Sequence, residues 1–376
     1  MTDAPLSLRS ILASSYCGQR ALVTGHNGFV GSWLASLLVA AGCETFGFAL
    51  PPSEGGAWER AGLADRVDSV EGDVRDLTAL RRTVARVRPD FVFHLAAQAL
   101  VLPALIDPVQ TFATNVLGTA NLLEVLRDSS IRSCVIVTSD KCYATGASAH
   151  TEADPLGGDD PYSASKGCAE LVVGAFRSSY FSGSNRQVAS ARAGNIIGGG
   201  DRADARIVPD FVRAAEAGRA LVLRFPRAVR PWQHVLDAVA GYLRLGVALL
   251  DAAPSYAEAW NFGPDESMAA TVGDLVSLLG DSWKRRTGRR VEVTEAAVDN
   301  ADRERGYLTL DSRKATERLG WHPVLDLPQS ADWTVEWHLA EAAGAAASAH
   351  FDQIRTYLAL EEQNPAVRAS VAAGGA

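Results

Sequence analysis

Short apolar runs of strand-like composition alternate with longer segments of helical spacing along the first half of the chain. The strand-like runs are ALVTG at 21, TFGFAL at 45, DFVFHLAA at 90, SCVIVTS at 133 and QVASARAGN at 187. Between them, SWLASLLVAA and TNVLGTANLLEVLRD carry apolar residues at helical spacing. Repetition of strand, helix and strand at this length is typical of a parallel sheet that helices cover on both faces. The pattern therefore predicts an α/β fold with a doubly wound, mostly parallel sheet.

Composition and charge exclude several classes of protein. Lysine and arginine number 36 against 44 acidic residues, which gives a net charge of −8. No block of like charges stands out, so we expect no nucleic acid partner. No segment has the length of apolar sequence that a membrane span or a signal peptide needs, so we expect a cytoplasmic protein without membrane association. The 5 cysteines lack close metal-type spacing, which predicts free thiols and no metal site.

The motif VTGHNGFVG joins the first predicted strand to the first predicted helix and contains Gly25, Gly28 and Gly31. Glycines at these positions let the backbone approach a pyrophosphate, which then binds the unpaired amides at the start of the helix. A tight turn without a ligand is the alternative, but the strand and helix context is what the dinucleotide fingerprint requires. We therefore predict a Rossmann-type dinucleotide-binding domain, with Asn27 and Phe29 also at the cofactor.

Further cofactor contacts are expected where later strands end. Asp73, in EGDVRD, follows the third strand, where its carboxylate could accept from an adenine amino group; a turn-forming or helix-capping role is the alternative. HLAAQ ends the fourth strand, and its small residues Ala96 and Ala97 would let the cofactor pass close by. The other predicted cofactor residues are Val74, Leu95, Gln98, Asn115 and Thr138.

The sequence leaves the choice between NAD and NADP open. An acid that ends the second strand would select an unphosphorylated ribose, but this strand runs into Ala49, Leu50, Pro51 and Pro52. No arginine stands immediately there to bind a phosphate either.

The segment DPYSASKGCAE carries Tyr162 and Lys166 four residues apart at the start of a predicted helix. This spacing puts both side chains on one face, where the ammonium and a nearby nicotinamide cation would lower the pKa of the phenol towards neutrality. A tyrosine activated in this way can remove a hydroxyl proton while hydride leaves the same carbon. A surface pair is the alternative that the spacing alone favours, but the upstream dinucleotide motif reverses that preference.

The chain resembles the extended short-chain dehydrogenase/reductase superfamily and, within it, is most similar to the CDP-glucose 4,6-dehydratases. The likeness covers about residues 18–340. Its most specific segments are TGHNGFVGSWL, HLAAQ, TFATNVLGTANLLE, VTSDKCY, DPLGGDDPYSASKGCAELV, ARAGNIIGGGD, RPWQHVL and LGWHP. The resemblance implies NAD held throughout turnover, a nucleotide-diphosphate hexose as substrate and a 4-keto-6-deoxy sugar as product.

The resemblance also assigns catalytic roles. Tyr162, assisted by Lys166, would deprotonate the 4-hydroxyl of the sugar during oxidation at C4, and the new ketone would make the C5 hydrogen acidic. Asp140 would then protonate the departing 6-hydroxyl, while Lys141 would remove the C5 proton. Ser139 is expected to hydrogen-bond the 4-hydroxyl.

The adjacent Asp140 and Lys141 make opposite demands on their surroundings. A lysine can act as a base only when part of it is neutral, which burial or nearby positive charge favours. The aspartate must keep its proton, so its site should be dry or electronegative. An exposed turn with a weak ion pair is the alternative. In related dehydratases for other nucleotide sugars a glutamate stands at the lysine position, and simple epimerases lack the pair, which therefore favours elimination of water. Thr138 is the alternative to Ser139 for the 4-hydroxyl.

Residues of a second lobe are expected to bind the diphosphate. Arg206, Arg230 and His234 are the candidates, since a guanidinium fork matches phosphate oxygens. We favour Arg230 because RPWQHVL is similar to a family segment, whereas a solvated surface arginine is the alternative for Arg206. Asn195 resembles the asparagine of the family that contacts the nucleotide diphosphate, with a turn-forming role as the alternative.

The resemblance and the weaker regularity after residue 200 together predict the organisation of the chain. The predicted parts are an amino-terminal extension at 1–17, a dinucleotide-binding domain at 18–200 with a return segment near 232–263, a discontinuous, smaller, mixed α/β nucleotide-sugar lobe at 201–345, and a carboxy-terminal helix and tail at 346–376. The helices around 110–127 and 163–180 have apolar faces. By resemblance they predict a homodimer through a four-helix bundle, while simple coverage of the sheet is the alternative.

Several positions depart from the family pattern. The family usually has an arginine, serine and tyrosine run after HLAAQ, where this chain has LPAL at 102–105. Arg202 replaces a tryptophan, and Ala144 and Thr145 replace a glutamate and an asparagine. Lost hydrogen-bonding groups would leave sugar hydroxyls unpaired, so recognition of the hexose could differ. The alternatives are an epimerase or dehydratase for another nucleotide sugar, and a non-catalytic dinucleotide-binding sensor.

Overall fold

The computed structural model describes residues 6–146, 149–251, 256–264, 269–296 and 307–364. In these residues the strands are β1 (Arg20–Thr24), β2 (Glu44–Ala49), β3 (Asp68–Glu71), β4 (Phe91–His94), β5 (Ser133–Val137), β6 (Gln187–Ala193), β7 (Ile196–Ile197), β8 (Leu221–Leu223), β9 (Val229–Arg230), β10 (Gln233–His234), β11 (Ala259–Phe262), β12 (Ala270–Thr271) and β13 (Val293–Glu295).

The α-helices are α1 (Leu8–Ile11), α2 (Phe29–Ala40), α3 (Ala57–Arg60), α4 (Leu77–Val87), α5 (Val101–Ile106), α6 (Pro108–Phe112), α7 (Gly118–Arg127), α8 (Pro161–Phe176), α9 (Ile207–Ala217), α10 (Val235–Ala248), α11 (Val272–Thr287), α12 (Arg313–Leu319), α13 (Leu327–Ala342) and α14 (Ala346–Gln363). Short 3₁₀ turns cover Asp140–Cys142 and Leu249–Asp251, and π-helical turns cover Leu12–Tyr16, Ala113–Leu117 and Arg177–Phe181.

One parallel sheet of seven strands forms the centre of the molecule, in the order β11-β6-β5-β4-β1-β2-β3. The order reverses between β1 and β4, and open α/β sheets bind their ligands in the crevice at such a switch point. Strands β4 and β6 are buried along their whole length, as strands that helices cover on both faces must be. The predicted doubly wound fold is confirmed.

All five apolar runs in the sequence form strands of this sheet, namely β1, β2, β4, β5 and β6. Strand β3 is mostly exposed at one edge, and this position explains why it carries no apolar run. Strand β11 pairs with β6 at the other edge, and α10 packs against β5. Both elements come from the return segment near 232–263.

The described residues from Ile196 onwards also form three small sheets, each of two strands, that pair β7 with β10, β9 with β12 and β8 with β13. Helices α9, α11 and α13 enclose a separate apolar cluster that contains Phe211, Leu279 and Trp283. This is the smaller mixed lobe that the sequence predicted. The exact domain boundaries stay a prediction.

The two ends of the described chain pack together on α10. The backbone amide of Leu8 donates to Glu361 Oε2 at 3.0 Å, and Glu361 also forms a buried ion pair with Arg244. The amino-terminal extension is thus fixed against α14, while residues 365–376 of the predicted tail lie outside the described residues. No described helix has the length and apolar composition to cross a membrane.

Candidate active site

The glycine-rich loop between β1 and α2 lies at the carboxyl edge of the sheet. Gly25 has φ +70°, and a Cβ on it would lie 2.7 Å from the backbone nitrogen of Ala96. A Cβ on Gly31 would lie 2.0 Å from the carbonyl oxygen of Gly25, so packing of the turn requires both glycines. A Cβ on Gly28 would have its nearest neighbour 3.4 Å away, and Gly28 gives α2 no side-chain cap. The first amides of α2 are therefore suited to a pyrophosphate.

Two polar side chains hold this loop in place. Asn27 Nδ2 donates to the carbonyl oxygen of Leu50 at 2.7 Å, which ties the loop to the end of β2. His26 Nε2 lies 2.7 Å from Ser69 Oγ, and burial lowers the pKa of His26 to about 4. The side chain of Asn27 thus organises the loop, and Phe29 packs against the core as the first residue of α2.

Asp73 forms an ion pair with Arg75 in the loop after β3. Arg75 Nη2 lies 2.5 Å from Asp73 Oδ2, and this hydrogen bond lowers the pKa of the carboxyl. The backbone amide of Arg75 also donates to Asp73 at 2.8 Å, so the turn-forming role is present, while Asp76 caps α4. Val74 is buried against Gly118. The adenine contact of Asp73 stays a prediction.

The loop after β4 is joined to α8 through Asn115. The side chain of Asn115 accepts from the backbone amide of Gln98 at 2.8 Å and donates to Ser165 Oγ at 2.8 Å. Asn115 lies in the π-helical turn 113–117, an irregularity that is frequent at functional sites. The other predicted cofactor residues of this loop, Leu95, Ala96 and Ala97, are half-buried.

Tyr162 and Lys166 lie one turn apart in α8, and both are buried. Lys166 Nζ donates to the carbonyl oxygen of Val137 at 3.3 Å, and burial lowers the pKa of Lys166 to about 8. Burial raises the pKa of Tyr162 to about 12, although the Ser139 hydroxyl and the charge of Arg206 act in the opposite direction. The sequence predicted that Lys166 and a nicotinamide cation together would lower the pKa of the phenol. The protein groups alone do not lower it, because desolvation outweighs the effects of Ser139 and Arg206.

Asp140 and Lys141 lie in the 3₁₀ turn directly after β5. Asp140 is only 2% exposed, and its Oδ1 accepts from Ser139 Oγ at 2.9 Å. Its Oδ2 has no hydrogen-bond partner in the part of the chain that the structure describes. Burial raises the pKa of Asp140, against the positive charges of Lys141 and Arg230. An exposed turn is thus wrong for Asp140, whereas Lys141 is half-buried.

Arginines of the second lobe lie near these groups. Arg230 is buried, donates to the carbonyl oxygen of Val229 at 2.7 Å and acts electrostatically on Asp140. Arg206 acts in the same way on Tyr162, and its Nη1 forms an ion pair with Asp201 at 3.1 Å. The arginines therefore converge on the acid and the tyrosine from the lobe expected to hold the nucleotide.

Residues 21–256 match the sequence profile of the NAD dependent epimerase/dehydratase family. The chain belongs to this family. A CDP-glucose 4,6-dehydratase from Salmonella typhimurium is 41% identical over 336 residues, which cover 87% of this chain and 92% of the relative. The resemblance to extended short-chain dehydrogenases/reductases is confirmed.

Solved structures of family members have the same fold. An epimerase from Methanothermobacter thermautotrophicus superposes with a TM-score of 0.75 at 23% identity, over 89% of this chain and 96% of that one. A dTDP-glucose 4,6-dehydratase from Streptomyces venezuelae, solved with NAD bound, gives 0.72 at 26% identity, over 86% and 98%.

One predicted substrate residue, His234, lies in the core and not at the candidate active site. His234 is fully buried, its ring lies edge-on to Trp33 and Trp333, and its Nδ1 accepts from the backbone amide of Leu236 at the start of α10. Burial lowers its pKa strongly, to about 3. We therefore replace the diphosphate role of His234 with a helix-capping role in the core. Asn195 is half-buried, and its carbonyl oxygen accepts from Gln233 at 3.0 Å.

The positions that depart from the family pattern have their own contacts. Arg202 Nε donates to the carbonyl oxygen of Gly55 at 3.1 Å, and its Nη2 pairs with Glu341. The substitution thus links the second lobe to the loop after β2. The Thr145 hydroxyl donates to Asp159, and the side chains of 102–105 are exposed apart from Ala104.

A buried ion pair that the sequence did not predict lies behind the site, between Glu170 of α8 and Arg192 of β6. Thr138 Oγ1 donates to Glu170 at 2.5 Å, so Ser139 remains the hydroxyl that faces Asp140. The available signal was spacing: Glu170 follows Lys166 by one further helical turn, on the face that already carries Tyr162.

Proposed function

We propose that the protein is an NAD-dependent 4,6-dehydratase of a nucleotide-diphosphate hexose, with CDP-glucose as the first candidate. One observation carries the proposal: a buried carboxyl, Asp140, whose pKa burial raises, lies beside Ser139, and the Ser139 hydroxyl also acts on the Tyr162 phenol. A neutral carboxylic acid is what a departing hydroxyl requires, whereas transfer of hydrogen at C4 alone does not need it. The name of the Salmonella relative supports the same reaction.

The residues of the glycine-rich loop fit a dinucleotide. Packing fills the space at Gly25 and Gly31 but leaves it open at Gly28, beside the uncapped start of α2. Asn115 holds the loop at Gln98 in place for the cofactor. NAD held by this loop would supply hydride transfer, from C4 of the hexose and back to its C6.

Oxidation depends on the pair in α8. Tyr162 takes the proton of the 4-hydroxyl, and the ammonium of Lys166, one turn away and also buried, stabilises the phenolate. Ser139 hydrogen-bonds the 4-oxygen when its hydroxyl turns from Asp140 to the sugar, and it favours the phenolate. The protein thus supplies a base that takes the hydroxyl proton and a positive charge that stabilises the phenolate form of that base.

Elimination depends on the turn after β5. Lys141 removes the C5 proton, the C5–H electrons form the C5–C6 double bond, and the C6–O bond breaks. Asp140 donates its proton to that oxygen, which leaves as water. Ser139, which donates to Asp140 at 2.9 Å, connects the acid to the oxidation site.

We assign the diphosphate of the substrate to Arg230, Arg206 and Asn195. Arg230 is buried near Asp140, and guanidinium groups bind phosphate oxygens with two parallel hydrogen bonds. The second lobe, at residues 201–345, then holds the nucleotide, and the domain at 18–200 holds NAD.

The deciding experiment incubates the purified protein with CDP-glucose and follows the alkali-induced absorbance of a 4-keto sugar. We expect a 4-keto-6-deoxy product. If only a glucose carried by another nucleotide gives the product, the proposed cytidine base is wrong. If the product is a 4-epimer, the protein is an epimerase and not a dehydratase. If the protein binds NAD but forms no product, a non-catalytic dinucleotide-binding sensor is favoured.

The exposed apolar side chains of α5 to α8 support a homodimer through a four-helix bundle. Ile106 and Val109 are 85% and 77% exposed, and Leu117 and Leu171 are more than half exposed. Apolar surface of this extent is typical of a face that a second subunit covers. Light scattering of Leu171→Glu against the parent protein tests it: the variant should be monomeric, and an unchanged dimer would place the interface elsewhere. Cytoplasmic localisation stays a prediction.

A further inference from the structure

The carboxylate of Glu170 is held from three directions inside the protein. Its Oε1 accepts from Thr138 Oγ1 at 2.5 Å, and its Oε2 accepts from Ser190 Oγ at 2.7 Å and from Arg192 Nη2 at 2.8 Å. Both members of the ion pair are buried. Such a carboxylate remains charged, and the pKa of Glu170 is lowered through Arg192 even though burial alone would raise it.

Arg192 extends this network to the other side of the acid–base turn. Its Nη1 donates to the Tyr143 hydroxyl at 2.8 Å, and its guanidinium lies over the Tyr143 ring at 4.8 Å. The Tyr143 hydroxyl in turn donates to Asn261 Oδ1 of β11 at 2.6 Å. The sheet edge formed by β6 and β11 is thereby joined to the end of the turn.

The turn 139–142 is therefore anchored on both flanks by one ion pair. Thr138 precedes it and bonds to Glu170, while Tyr143 follows it and bonds to Arg192. Within the turn the Ser139 hydroxyl accepts from the amide of Lys141 at 3.2 Å, and the Cys142 carbonyl oxygen accepts from the amide of Gly157 at 2.8 Å. A 3₁₀ turn of one cycle has little rigidity of its own, so its orientation depends on its flanks.

We propose that the Glu170–Arg192 ion pair is a positioning pair that fixes Asp140 and Lys141 against the substrate. The functional part rests on the proposed dehydration, in which Asp140 and Lys141 are acid and base. An error of about 1 Å in such groups costs on the order of a hundredfold in rate. Loss of the pair should therefore slow elimination more than oxidation.

The first test does not depend on catalysis and uses thiol labelling of the native holoenzyme. Cys142 lies in the turn and Cys134 in β5, and both are fully buried free thiols. In Glu170→Gln we expect Cys142 to react at least tenfold faster relative to Cys134, measured by peptide mass spectrometry after a timed pulse. An equal increase at both cysteines, or none, would overturn the positioning role.

A second buried ion pair provides the matched control. Glu361 and Arg244 are as buried as Glu170 and Arg192 but lie where α14 packs on α10. Glu361→Gln removes the same charge from a similar environment. We expect it to lower the melting temperature while the labelling ratio of Cys142 to Cys134 stays at the wild-type value.

Tyr143→Phe is the milder variant and keeps the charge of Glu170 near Lys166. It removes only the hydroxyl between Arg192 and Asn261. With enzyme in excess over CDP-glucose, we expect the absorbance of the reduced nicotinamide to rise at the wild-type rate. It should then decay about tenfold more slowly, together with slower release of the keto sugar. Equal slowing of both phases would overturn the proposal.

The two tests separate failure of this inference from failure of the proposed function. If wild-type protein gives no keto sugar but Glu170→Gln exposes Cys142 selectively, the pair positions the turn and the proposed reaction is wrong. If wild-type protein makes the keto sugar and neither variant alters labelling or the second phase, the function stands and the positioning role is wrong.

Discussion

Two pairs of functional side chains lie on different kinds of structure in this protein. Tyr162 and Lys166 are one turn apart on a helix of sixteen residues, so the helix alone sets their relative position. Asp140 and Lys141 are neighbours on a 3₁₀ turn of three residues, and one is buried while the other is half-buried. The first pair has its geometry from local hydrogen bonds, and the second depends on the packing around it. Reactions on the two pairs should therefore respond differently to mutation and to pH.

The largest effect is expected for Tyr162→Phe, which removes the base of the first pair. Oxidation precedes elimination, so product formation should fall about 10³-fold, within the usual range for a general base. No reduced nicotinamide should accumulate after mixing with CDP-glucose. Tyr180→Phe, at an exposed tyrosine, is the matched control and should keep wild-type activity. Near-normal turnover of Tyr162→Phe would remove this residue from the chemistry.

A smaller and different effect is expected for Asp140→Asn in the second pair. The amide cannot protonate the leaving 6-hydroxyl, so keto-sugar formation should fall about 10²-fold. Oxidation at C4 should continue, and the reduced nicotinamide should accumulate, as stopped-flow absorbance can measure. Asp128→Asn, at a highly exposed carboxyl, is the control. If Asp140→Asn and Tyr162→Phe behave alike, the two pairs do not act in separate steps.

The pH dependence should also separate the pairs. Burial lowers the pKa of Lys166 to about 8, against the charge of Glu170, and raises that of Tyr162 to about 12. Oxidation needs the phenolate together with the ammonium, so its rate should rise about tenfold per pH unit to pH 8 and then level off. Elimination needs protonated Asp140, whose pKa burial raises, together with the neutral amine of Lys141. These two requirements oppose each other as pH rises, so the elimination rate should change less with pH than the oxidation rate.

Lys166→Arg tests whether loss of the Lys166 proton is the reason why the oxidation rate levels off above pH 8. A guanidinium keeps its charge at these pH values, so the oxidation rate, though lower, should continue to rise above pH 8. Single-turnover absorbance across the pH range measures both phases. A break at the same pH in parent and variant would assign it to another group.

The sequence predicted local features of this site better than long-range ones. Helical spacing was sufficient to pair Tyr162 with Lys166, and the strand–glycine–helix order was sufficient to place Gly28 at the start of α2. It could not show that Trp333, from α13, packs against His234 and keeps that ring in the core. It could not show either that desolvation raises the pKa of the phenol, because burial depends on the whole fold.

The same distinction explains why the Glu170–Arg192 pair was missed. Glu170 has a helical relationship to Lys166 that the sequence shows, but its partner comes from β6 and its other contact from the end of β5. Only the sheet order, with β5 beside β6, brings these residues together. A buried glutamate and arginine far apart in sequence give no periodic signal.

The smallest expected effect, for Ser139→Ala, tests the connection between the two pairs. The Ser139 hydroxyl donates to Asp140 at 2.9 Å and lowers the pKa of Tyr162, so it touches both halves of the site. Loss of one hydrogen bond of this kind costs about 1 kcal/mol, so oxidation and elimination should each slow about fivefold. Thr138→Val is the comparison, since that hydroxyl contacts Glu170 instead and should affect elimination alone. If Ser139→Ala slows only one phase in stopped-flow absorbance, Ser139 contributes to only one of the two steps, and it does not connect the two pairs.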